Sequence, residues 1–350
     1  MPTDPAVSDP GVFDAPMRAA IEESRKALGA TSPNPPVGAV IVAPDGAVVG
    51  RGHTQPPGGP HAEIVALADA GAAARGATAV VTLEPCNHTG RTGPCSEALI
   101  AGGIAQVVYA IGDPNPTASG GADRLRAAGV RVIGGHLDDE ARDGPLRGWL
   151  FRQRTGRPFV TVKIAAGLDG RIAAPDGTSQ WITGPDSRAR VHRQRAQLDA
   201  IVIGTGTAIR DNPALTARHP DGTLADHQPM RIIMGHRDIP DTAQIRDTAV
   251  APFAQIRTHD PADVLAALPD ATWVLVEGGP SIIGAFLAAG LVDEIEAYLA
   301  PMILGAGTSS VDMPGVTTLA DARRFRTVGV EQLGEDVLLR FRTDESSPAG

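Results

Sequence analysis

Residues 61–63 read HAE and residues 82–95 read TLEPCNHTGRTGPC, and the second stretch holds the only cysteines of the 350-residue chain, Cys86 and Cys95. Together with His61 they supply one imidazole and two thiolates, a zinc ligand set that leaves the fourth tetrahedral position for water. Glu63 follows His61 by two positions, at the start of an expected helix, where its carboxylate can face the open position and carry a proton. The pattern predicts a zinc site of the nucleobase-deaminase type, H-x-E then P-C-x-x-C, with a longer loop between the cysteines.

Other interpretations of these residues stay open at this point. A lone His-x-Glu is common on protein surfaces, and free cysteines are often small buried apolar residues. A structural zinc is a further alternative, because His88 lies between the two cysteines and could be a fourth ligand. The occurrence of both cysteines in one motif, with Glu63 beside it, favours the catalytic site.

The segments around this motif predict a layered α/β domain. Pro44-Asp45-Gly46 joins two short apolar runs and indicates a hairpin. The turns Ser32-Pro-Asn34-Pro35 and Asp113-Pro-Asn115-Pro116 place polar groups outside regular structure, the second at a strand end, where α/β folds bind ligands. The predicted helices cover residues 16–28, 61–74, 96–101 and 122–128, and the predicted strands cover residues 37–43, 47–50, 78–83, 107–111 and 130–133.

The arginine-rich stretch RDGPLRGWLFRQRTGR, residues 142–157, is predicted to contain the boundary between two domains of different fold. We expect a disordered tail over residues 1–10, a first domain over 11–150 and a second α/β domain over 151–345. In the second domain, strands are predicted over 159–164, 200–204, 230–234, 272–276, 294–299 and 337–342, and helices over 187–196 and 281–289. The last strand alternates as an edge or a returning strand would.

Four motifs of the second half carry candidate chemistry. Lys163, one of two lysines in the chain, is predicted at a strand end, either as an anchor for an anion or reacting group or as a solvated residue. Trp181 is interpreted either as a stacking surface for a flat ring or as a core residue. Gly204-Thr-Gly206 lacks the third glycine of the dinucleotide fingerprint. Glu277-Gly-Gly-Pro-Ser281 joins a strand to a helix and favours an anion, a phosphate, at exposed backbone N–H groups.

Composition and charge exclude several classes of protein. The apolar fraction is 42% and the formal net charge is −9, with both halves acidic, which opposes a nucleic-acid-binding protein. Two cysteines exclude a disulfide-stapled secreted scaffold. The N-terminus has no signal-peptide pattern, and no apolar run reaches the length of a membrane span. We therefore expect a cytoplasmic protein that contacts neither nucleic acid nor membrane.

On His61-Ala-Glu63, the stretch 82–95 and Asp113-Pro-Asn-Pro116, the chain resembles the bifunctional riboflavin-biosynthesis deaminase–reductase family. The resemblance implies a cytidine-deaminase-like three-layer α/β/α domain with one Zn²⁺ and with Glu63 as a catalytic residue. It implies a phosphorylated aminopyrimidine substrate, 2,5-diamino-6-ribosylamino-4(3H)-pyrimidinone 5′-phosphate, which loses its 2-amino group as ammonia. The residues implied for substrate binding are Asn34, His88, Arg91, Asp113 and Asn115.

The second half resembles the reductase domain of that family, a fold related to dihydrofolate reductase, over 163–171, 179–183, 204–207, 211–218 and 277–281. The resemblance implies that NADPH reduces the ribosyl group to ribityl, with Lys163, Asp211 and Glu277 as catalytic groups. The implied substrate-binding residues are Ser179, Arg195, Leu215, Arg218 and Glu277, of which the two arginines fit the 5′-phosphate. The implied NADPH-binding residues are Ala165, Trp181, Thr207, Asp211, Gly279, Pro280, Ser281, Ile282, Ile283, Gly284 and Ala285.

The chain departs from the family pattern at two places in the second half. Gly167 stands where the family usually has serine, and Gly235-His236 stands where Asp-Ser or Asp-Thr is usual. Each change removes a hydrogen-bonding group near the expected cofactor.

Three alternatives are therefore carried forward. One is a deaminase whose reductase-like domain is a non-catalytic substrate-binding or assembly scaffold; the others are an assembly protein with a structural zinc and a deaminase of nucleic-acid bases. The family resemblance also implies a homo-oligomer.

Overall fold

The computed structural model of the protein describes residues 10–88 and 93–343. The chain divides into two compact units, with the division between Gly156 and Arg157, shortly after the boundary predicted at residue 150. The predicted tail lies outside the described residues except for Pro10, which begins a short 3-10 helix, Pro10–Phe13. Within the described residues, no helix is both long and apolar enough to span a bilayer.

The first unit is built on a five-stranded sheet in the order β2-β1-β3-β4-β5. Strand β1 pairs antiparallel with β2 and β3, and β3, β4 and β5 are parallel. Its helices are α1 (Asp14–Lys26), α2 (Ala62–Ala70), α3 (Cys95–Ala101), α4 (Gly121–Ala127), α5 (Asp138–Arg142) and α6 (Arg147–Thr155). Its strands are β1 (Gly38–Val42), β2 (Val48–His53), β3 (Thr78–Leu83), β4 (Gln106–Ile111) and β5 (Arg131–Gly134).

Helices α1 and α2 pack on opposite faces of this sheet. A Cβ atom on Gly38 of β1 would lie 2.0 Å from the Ala20 carbonyl oxygen of α1. A Cβ atom on Gly52 of β2, which pairs with the next residue of β1, would lie 2.4 Å from the Ala62 carbonyl oxygen of α2. Neighbouring residues of a strand point to opposite faces, so one helix covers each face. Glycine is required at Gly52 because α2 contacts the strand backbone directly, and this contact sets the position of the helix that begins after His61.

The predicted elements of the first unit are confirmed in type, and their ends differ. The hairpin forms, with the Gly46 N–H donating to the Ala43 carbonyl at 2.9 Å. The helix predicted over residues 61–74 ends at Ala70, because Gly71 takes a positive φ of 52° and a 3-10 turn follows. The arginine-rich stretch predicted to contain the domain boundary includes all of α6, with Trp149 buried on its inner side.

The second unit is built on an eight-stranded sheet in the order β10-β9-β8-β11-β6-β12-β15-β14. The first six strands of that order are parallel, β15 is antiparallel to β12, and β14 is antiparallel to β15. Its helices are α7 (Pro185–Arg195), α8 (Thr205–Asp211), α9 (Pro261–Ala266) and α10 (Pro280–Ala288). Its strands are β6 (Phe159–Gly167), β7 (Arg171–Ala173), β8 (Ala200–Gly204), β9 (Met230–Met234), β10 (Phe253–Ile256), β11 (Trp273–Val276), β12 (Glu294–Ala300), β13 (Thr308–Ser309), β14 (Arg326–Leu333) and β15 (Asp336–Arg342).

In the second unit, the prediction for Lys163 changes and the one for the last strand is settled between its two alternatives. Strand β6 continues to Gly167, so Lys163 lies in the middle of a strand rather than at its end. Strand β15 is the returning strand, and the edge is formed by β14, which was not predicted. Its sequence, RTVGVEQL, is exposed along most of its length, so it shows little of the apolar alternation that marks a buried strand.

Candidate active sites

The predicted zinc ligands of the first unit come together. The Nδ1 atom of His61 lies 3.6 Å from the Cys86 sulfur and 3.3 Å from the Cys95 sulfur, and the three ligand atoms lie within 4.8 Å of one another. Tetrahedral zinc with ordinary bond lengths places nitrogen and sulfur ligands about 3.6 Å apart, so the three residues fit the metal. His88 is not part of this cluster among the described residues, which removes the case for a closed, structural site.

Glu63 lies beside the cluster in the first turn of α2. It is only 4% exposed, and burial, followed by the charge of Cys86, raises the pKa of its carboxyl to about 7. The helix begins at Ala62, with His61 in an extended conformation before it, so the N-terminal end of α2 positions both the zinc ligand and the carboxylate. A hydrogen bond between the two thiols lowers the pKa of Cys86 and raises the pKa of Cys95, so without a metal ion the pair holds one thiolate, at Cys86.

The remaining residues predicted for the deaminase substrate line one cavity of about 210 Å³ with the ligand cluster, except Arg91, which lies outside the described residues. They are Asn34, His88, Asp113 and Asn115. Burial raises the pKa of Asp113, whose Oδ1 accepts the Asn115 N–H at 2.9 Å. The Oδ1 atom of Asn115 accepts from Thr117, so its amide nitrogen is the group it can offer a ligand. Among the described residues, the buried Nδ1 of His88 has no hydrogen-bond partner.

The cavity also contains residues that the sequence did not reveal. Glu84 accepts hydrogen bonds from the backbone N–H groups of Ala122 and Asp113, at 2.9 and 3.3 Å, and so ties the end of β3 to the start of α4 and the end of β4. Trp149 and Gln153 reach the cavity wall from α6. The chain has only three tryptophans, so Trp149 could have been singled out from the sequence as a candidate site residue.

In the second unit, Lys163, Arg195 and Glu277 form a buried ionic cluster. Arg195 makes two hydrogen bonds of 2.8 Å to the two carboxylate oxygens of Glu277, and the Lys163 Nζ lies 3.8 Å from Glu277 Oε2. Burial alone would raise the pKa of Glu277, but Arg195 and then Lys163 outweigh it and lower the pKa to about 2. Burial lowers the pKa of Lys163 against the opposing effect of Glu277. The carboxylate therefore stays charged at neutral pH, and the lysine is the group poised to release a proton.

This cluster changes what Arg195 can do. Its third hydrogen bond goes from Nη1 to the Thr216 carbonyl at 3.2 Å. Each of the three guanidinium nitrogens therefore donates to a protein group. Arg218 also lines the cavity. It donates hydrogen bonds to the Thr216 hydroxyl and the Gly222 carbonyl, which fix the position of its guanidinium.

A cavity of about 750 Å³ surrounds the ionic cluster, and its volume lies in the range of small-molecule sites. The predicted residues that line it are Lys163, Ala165, Ser179, Trp181, Arg195, Asp211, Leu215, Arg218 and Glu277. Trp181 is 69% exposed and lies 4.8 Å from the Arg188 guanidinium, so it is not a core residue. Arg188 and His192 line the cavity as well, and the sequence did not reveal them.

A second cleft of about 590 Å³ lies at the carboxyl ends of β8, β9 and β11. Of the residues predicted for NADPH it is lined by Thr207, Gly279, Pro280, Ser281, Ile282 and Ala285. Ile283 is 2% exposed in the core, and a Cβ atom on Gly284 would lie 1.8 Å from the Asp312 carbonyl oxygen, so these two face away from it. Ala165, Trp181 and Asp211, also predicted for NADPH, line the larger cavity instead.

Comparison with known families assigns each half of the chain to a domain family. Residues 14–111 match the cytidine and deoxycytidylate deaminase zinc-binding region, and residues 158–339 match the RibD C-terminal domain. The chain is 53% identical over 327 residues to the riboflavin biosynthesis protein RibD of Mycobacterium tuberculosis, which covers 93% of this chain and 96% of that protein. The chain belongs to the RibD family. It is also 39% identical to the RibD of Escherichia coli, over 93% of this chain and 98% of that protein.

Solved RibD structures share the architecture of the whole chain. Acinetobacter baumannii RibD has a TM-score of 0.84 and 35% identity, over 96% of this chain and 100% of that one. A diaminohydroxyphosphoribosylaminopyrimidine deaminase/5-amino-6-(5-phosphoribosylamino)uracil reductase from Thermotoga maritima has a TM-score of 0.86 and 32% identity, over 96% and 99%.

Membership in the RibD family confirms the expected fold and enzyme class. The chain is a riboflavin-biosynthesis enzyme with a zinc-binding deaminase domain followed by an NADPH-dependent reductase domain. The alternatives of an assembly protein with a structural zinc and of a deaminase for nucleic-acid bases are overturned.

The two departures from the RibD pattern have structural correlates. A Cβ atom on Gly167 would lie 2.8 Å from the Met302 carbonyl oxygen, so a larger residue there requires the backbone around Met302 to move. Gly235 has a φ of 130°, and its Cβ would lie 3.1 Å from the Thr205 side chain. Both positions are thus adapted to glycine in this chain.

Proposed function

We propose that this protein removes the 2-amino group of 2,5-diamino-6-ribosylamino-4(3H)-pyrimidinone 5′-phosphate as ammonia and then reduces the ribosyl group of the product to ribityl with NADPH. The observation that carries the proposal is the cluster of His61, Cys86 and Cys95 at a cavity that Glu63 also lines. The name of the Thermotoga maritima relative supports the substrate assignment. We assign deamination to residues 11–156 and reduction to residues 157–345, which moves the predicted boundary to the division seen between the two units.

For deamination, His61, Cys86 and Cys95 would hold the zinc ion, which when bound activates water for attack on the carbon that bears the amino group. Glu63 moves two protons in turn: its carboxylate accepts one from the attacking water and delivers it to the ring nitrogen, and it then carries the second, from the hydroxyl left on the carbon, to the amine, which departs as ammonia while the carbonyl forms. The buried position of Glu63 keeps bulk water away from this transfer.

The polar residues of the same cavity position the substrate. Asn34 and the Asn115 amide can donate to the pyrimidine and the ribose, and Asp113 can accept from ribose hydroxyls. His88 offers a buried ring nitrogen that has no hydrogen-bond partner within residues 10–88 and 93–343. Arg91 is proposed for the phosphate side on the family resemblance alone.

For reduction, NADPH supplies the hydride that adds to C1′ of the ribosyl group. As the bond from C1′ to the ribose ring oxygen breaks, that oxygen takes up a proton, and Lys163 is the group placed to donate it, since burial lowers the pKa of its ammonium. Glu277 holds Lys163 by charge, and Arg195 holds Glu277. Arg195 is therefore a positioning residue in this proposal.

The other predicted residues that line the reductase cavity are proposed to bind the substrate or the cofactor. Of the two arginines that the resemblance implies for the 5′-phosphate, Arg218 keeps this role in the proposal, and Arg188, which lines the same cavity, takes the place of Arg195. Ser179 and Leu215 line the wall, and Trp181 offers a flat exposed face for stacking. Asp211, whose pKa is raised by burial, lines the same cavity and stays a candidate catalytic and cofactor-binding residue.

Ammonia release from the diaminopyrimidine phosphate tests the first half of the proposal. We expect Glu63→Gln to lower the rate about 10²–10⁴-fold while one zinc per chain is retained. Glu97→Gln, an exposed glutamate on α3, is the matched control and should keep full activity. Equal rates for the wild type and Glu63→Gln would sink the deaminase assignment.

Oxidation of NADPH in the presence of the deaminated product tests the second half. Lys163→Met should abolish it, whereas Lys26→Met, at the only other lysine, should not. Wild-type protein that deaminates but oxidises no NADPH would support the scaffold alternative for the second domain.

The same proposal includes a cytoplasmic location, in keeping with two reduced cysteines as metal ligands, and the homo-oligomer implied by the family.

A further inference from the structure

A second glutamate lies buried beside the lysine of the reductase site, and the mechanism above does not use it. Glu296 of β12 is 3% exposed. Strand β12 runs parallel to β6 and places Glu296 level with Lys163. The next residue on the same face, Tyr298, is level with Ala165. Neighbouring strands lie about 4.8 Å apart. Because Lys163 and Ala165 line the substrate cavity, Glu296 and Tyr298 lie directly beside its wall.

The Glu296 carboxylate is held in one orientation. The Tyr298 hydroxyl donates to its Oε2 at 3.1 Å, and the Gln194 side chain of α7 also hydrogen-bonds to it. Burial, followed by the charge of Glu296, raises the pKa of Tyr298, so the phenol stays protonated and remains a donor. Arg190 of α7, whose Nη2 lies 3.5 Å from Oε1, balances the charge of the carboxylate.

Tyr298 connects this carboxylate to the lysine. Its ring is fully buried, and the Lys163 Nζ lies 5.7 Å from the ring centroid. An ammonium within about 6 Å of an aromatic ring is attracted to the negative charge of the ring face. The side chain that holds Glu296 by its hydroxyl therefore also favours the charged form of Lys163 by its ring.

The charges around Lys163 give Glu296 a specific effect. Burial lowers the pKa of Lys163; Glu277 opposes this effect, Arg195 adds to it, and Glu296 opposes it. Glu277 is shared with Arg195 at 2.8 Å, so the charge of Glu296 is a second contribution that favours the ammonium. The titratable and charged groups on the surrounding elements are Glu277 after β11, Arg188, Arg190, His192 and Arg195 on α7, Asp211 and Arg218 in the cavity wall, Glu294, Glu296 and Tyr298 on β12, and Asp336, Arg340 and Arg342 on β15.

We propose that Glu296 is a positioning residue of the reductase site: its carboxylate, held by the Tyr298 hydroxyl, keeps Lys163 in the ammonium form beside the Tyr298 ring until the substrate takes the proton. A lysine that lost its proton to solvent before reduction could not protonate the ribose ring oxygen. The inference rests on the proposed function in one respect, namely that Lys163 donates this proton. Glu296 acts through Lys163 and makes no contact with substrate in this account.

The first measurement follows the titration of Lys163 itself, on the full-length, zinc-loaded protein without substrate. The chain has only two lysines, Lys26 and Lys163, so lysine labelled with carbon-13 at Cε gives two NMR signals, which Lys26→Met assigns. We expect Glu296→Gln to lower the titration midpoint of Lys163 by about one pH unit and to leave that of Lys26 unchanged. Glu296→Asp keeps the charge and should restore most of the shift.

The second measurement is the pH profile of NADPH oxidation with the deaminated product. The rate should fall at alkaline pH as Lys163 loses its proton, and in Glu296→Gln this fall should begin about one pH unit lower. At the pH where the wild type keeps half of its rate, the variant should therefore be about fivefold slower. A residue that only stabilised the fold would not move this profile.

Two further variants make the test specific. Glu294→Gln changes an equally buried glutamate on the same face of β12, which is paired with Arg342 at 2.9 Å. It should move neither the Lys163 midpoint nor the alkaline fall. Arg190→Gln, at a partly exposed position, leaves the charge of Glu296 less balanced and should raise the midpoint by about half a pH unit. This variant decides the question even if Glu296→Gln does not fold, and an unchanged or lower midpoint would overturn the inference.

The outcomes separate this inference from the function on which it rests. If Lys163 titrates alike in the wild type and Glu296→Gln, or if Glu294→Gln shifts it equally, the role of Glu296 is wrong while the proposed reduction stands. If the midpoint shifts and the alkaline fall does not, Glu296 has no part in reduction and Lys163 is not the proton donor. Wild-type protein that oxidises no NADPH would overturn the reductase function and this inference together.

Discussion

The two active sites balance charge in opposite ways. In the deaminase unit, two cysteines and Glu63 lie close to one histidine. The thiolates and the carboxylate are anionic, so a bound dication would balance their charge. In the reductase unit, Lys163 and Arg195 surround Glu277, and the three side chains compensate one another with a surplus of one positive charge. The first site depends on a metal for its electrostatics, whereas the second is complete in the protein and complements an anionic substrate.

Loss of the metal should have the largest effect, because it should inactivate the deaminase site and leave the reductase site unchanged. Cys95→Ser, or treatment with a chelator, should abolish zinc binding and lower ammonia release by at least about 10³-fold, because water loses its activation. NADPH oxidation with the deaminated product should stay within twofold. Metal analysis and the two assays on one preparation check this. A parallel loss of both activities would contradict the independence of the two sites.

Removal of one cation from the buried cluster should have the next largest effect. Arg195→Met leaves Glu277 buried with Lys163 as its remaining charged partner, which should destabilise the reductase unit by about 3–5 kcal/mol. Arg193→Met, at an exposed position on the same helix, is the matched control and should be close to neutral. Denaturant unfolding of the full chain measures both. A neutral result for Arg195→Met would mean that the cluster does not hold the site.

A backbone contact rather than a charge positions the deaminase residues. Gly52→Ala introduces a Cβ atom 2.4 Å from the Ala62 carbonyl oxygen and should cost about 1–3 kcal/mol, since α2 must move away from β2. Because α2 carries Glu63, ammonia release should fall more than zinc affinity does. Gly315→Ala, where a Cβ atom meets nothing within 4 Å, serves as the control. Unchanged melting and activity for Gly52→Ala would refute this placement of the helix.

The smallest expected effect is the acid response of the reductase unit. The pKa of Glu277 is lowered to about 2 in the folded chain, so its contribution to stability is complete above the ordinary carboxyl pKa and is lost as the pH falls toward 2. By pH 4 the loss should be on the order of 1 kcal/mol. Unfolding of the wild type and Glu277→Gln between pH 7 and pH 4 measures it, and the variant should show a flatter profile. Identical slopes would argue against a charged Glu277.

Local motifs were readable from the sequence, and long-range pairings were not. The zinc ligands and Glu63 occur in two short stretches whose spacing follows the geometry of one metal ion, so their convergence could be predicted. Arg195 and Glu277 are far apart in the sequence, and nothing in either segment indicates the ion pair between α7 and the end of β11. The sequence therefore assigned Arg195 to a phosphate, whereas the structure places it on a carboxylate.

Secondary-structure predictions also succeeded where the local sequence pattern was sufficient and failed where the structure depends on distant residues. Buried strands such as β8 and β9 were predicted with their observed ends, because continuous apolar runs mark them. Strand β14 and helix α6 were missed, since β14 is largely exposed and α6 is rich in arginine. Their structure depends on neighbours that a local pattern does not contain.

Helix α6 bears on how the two activities could be separated genetically. It ends at Thr155, next to the division between the units, and contributes Trp149 and Gln153 to the wall of the deaminase cavity. A gene truncated after Leu150 would delete the second of these residues and half of the helix, and would leave part of the deaminase pocket open to solvent. A free-standing deaminase should therefore be encoded through Gly156, with its partner starting at Arg157.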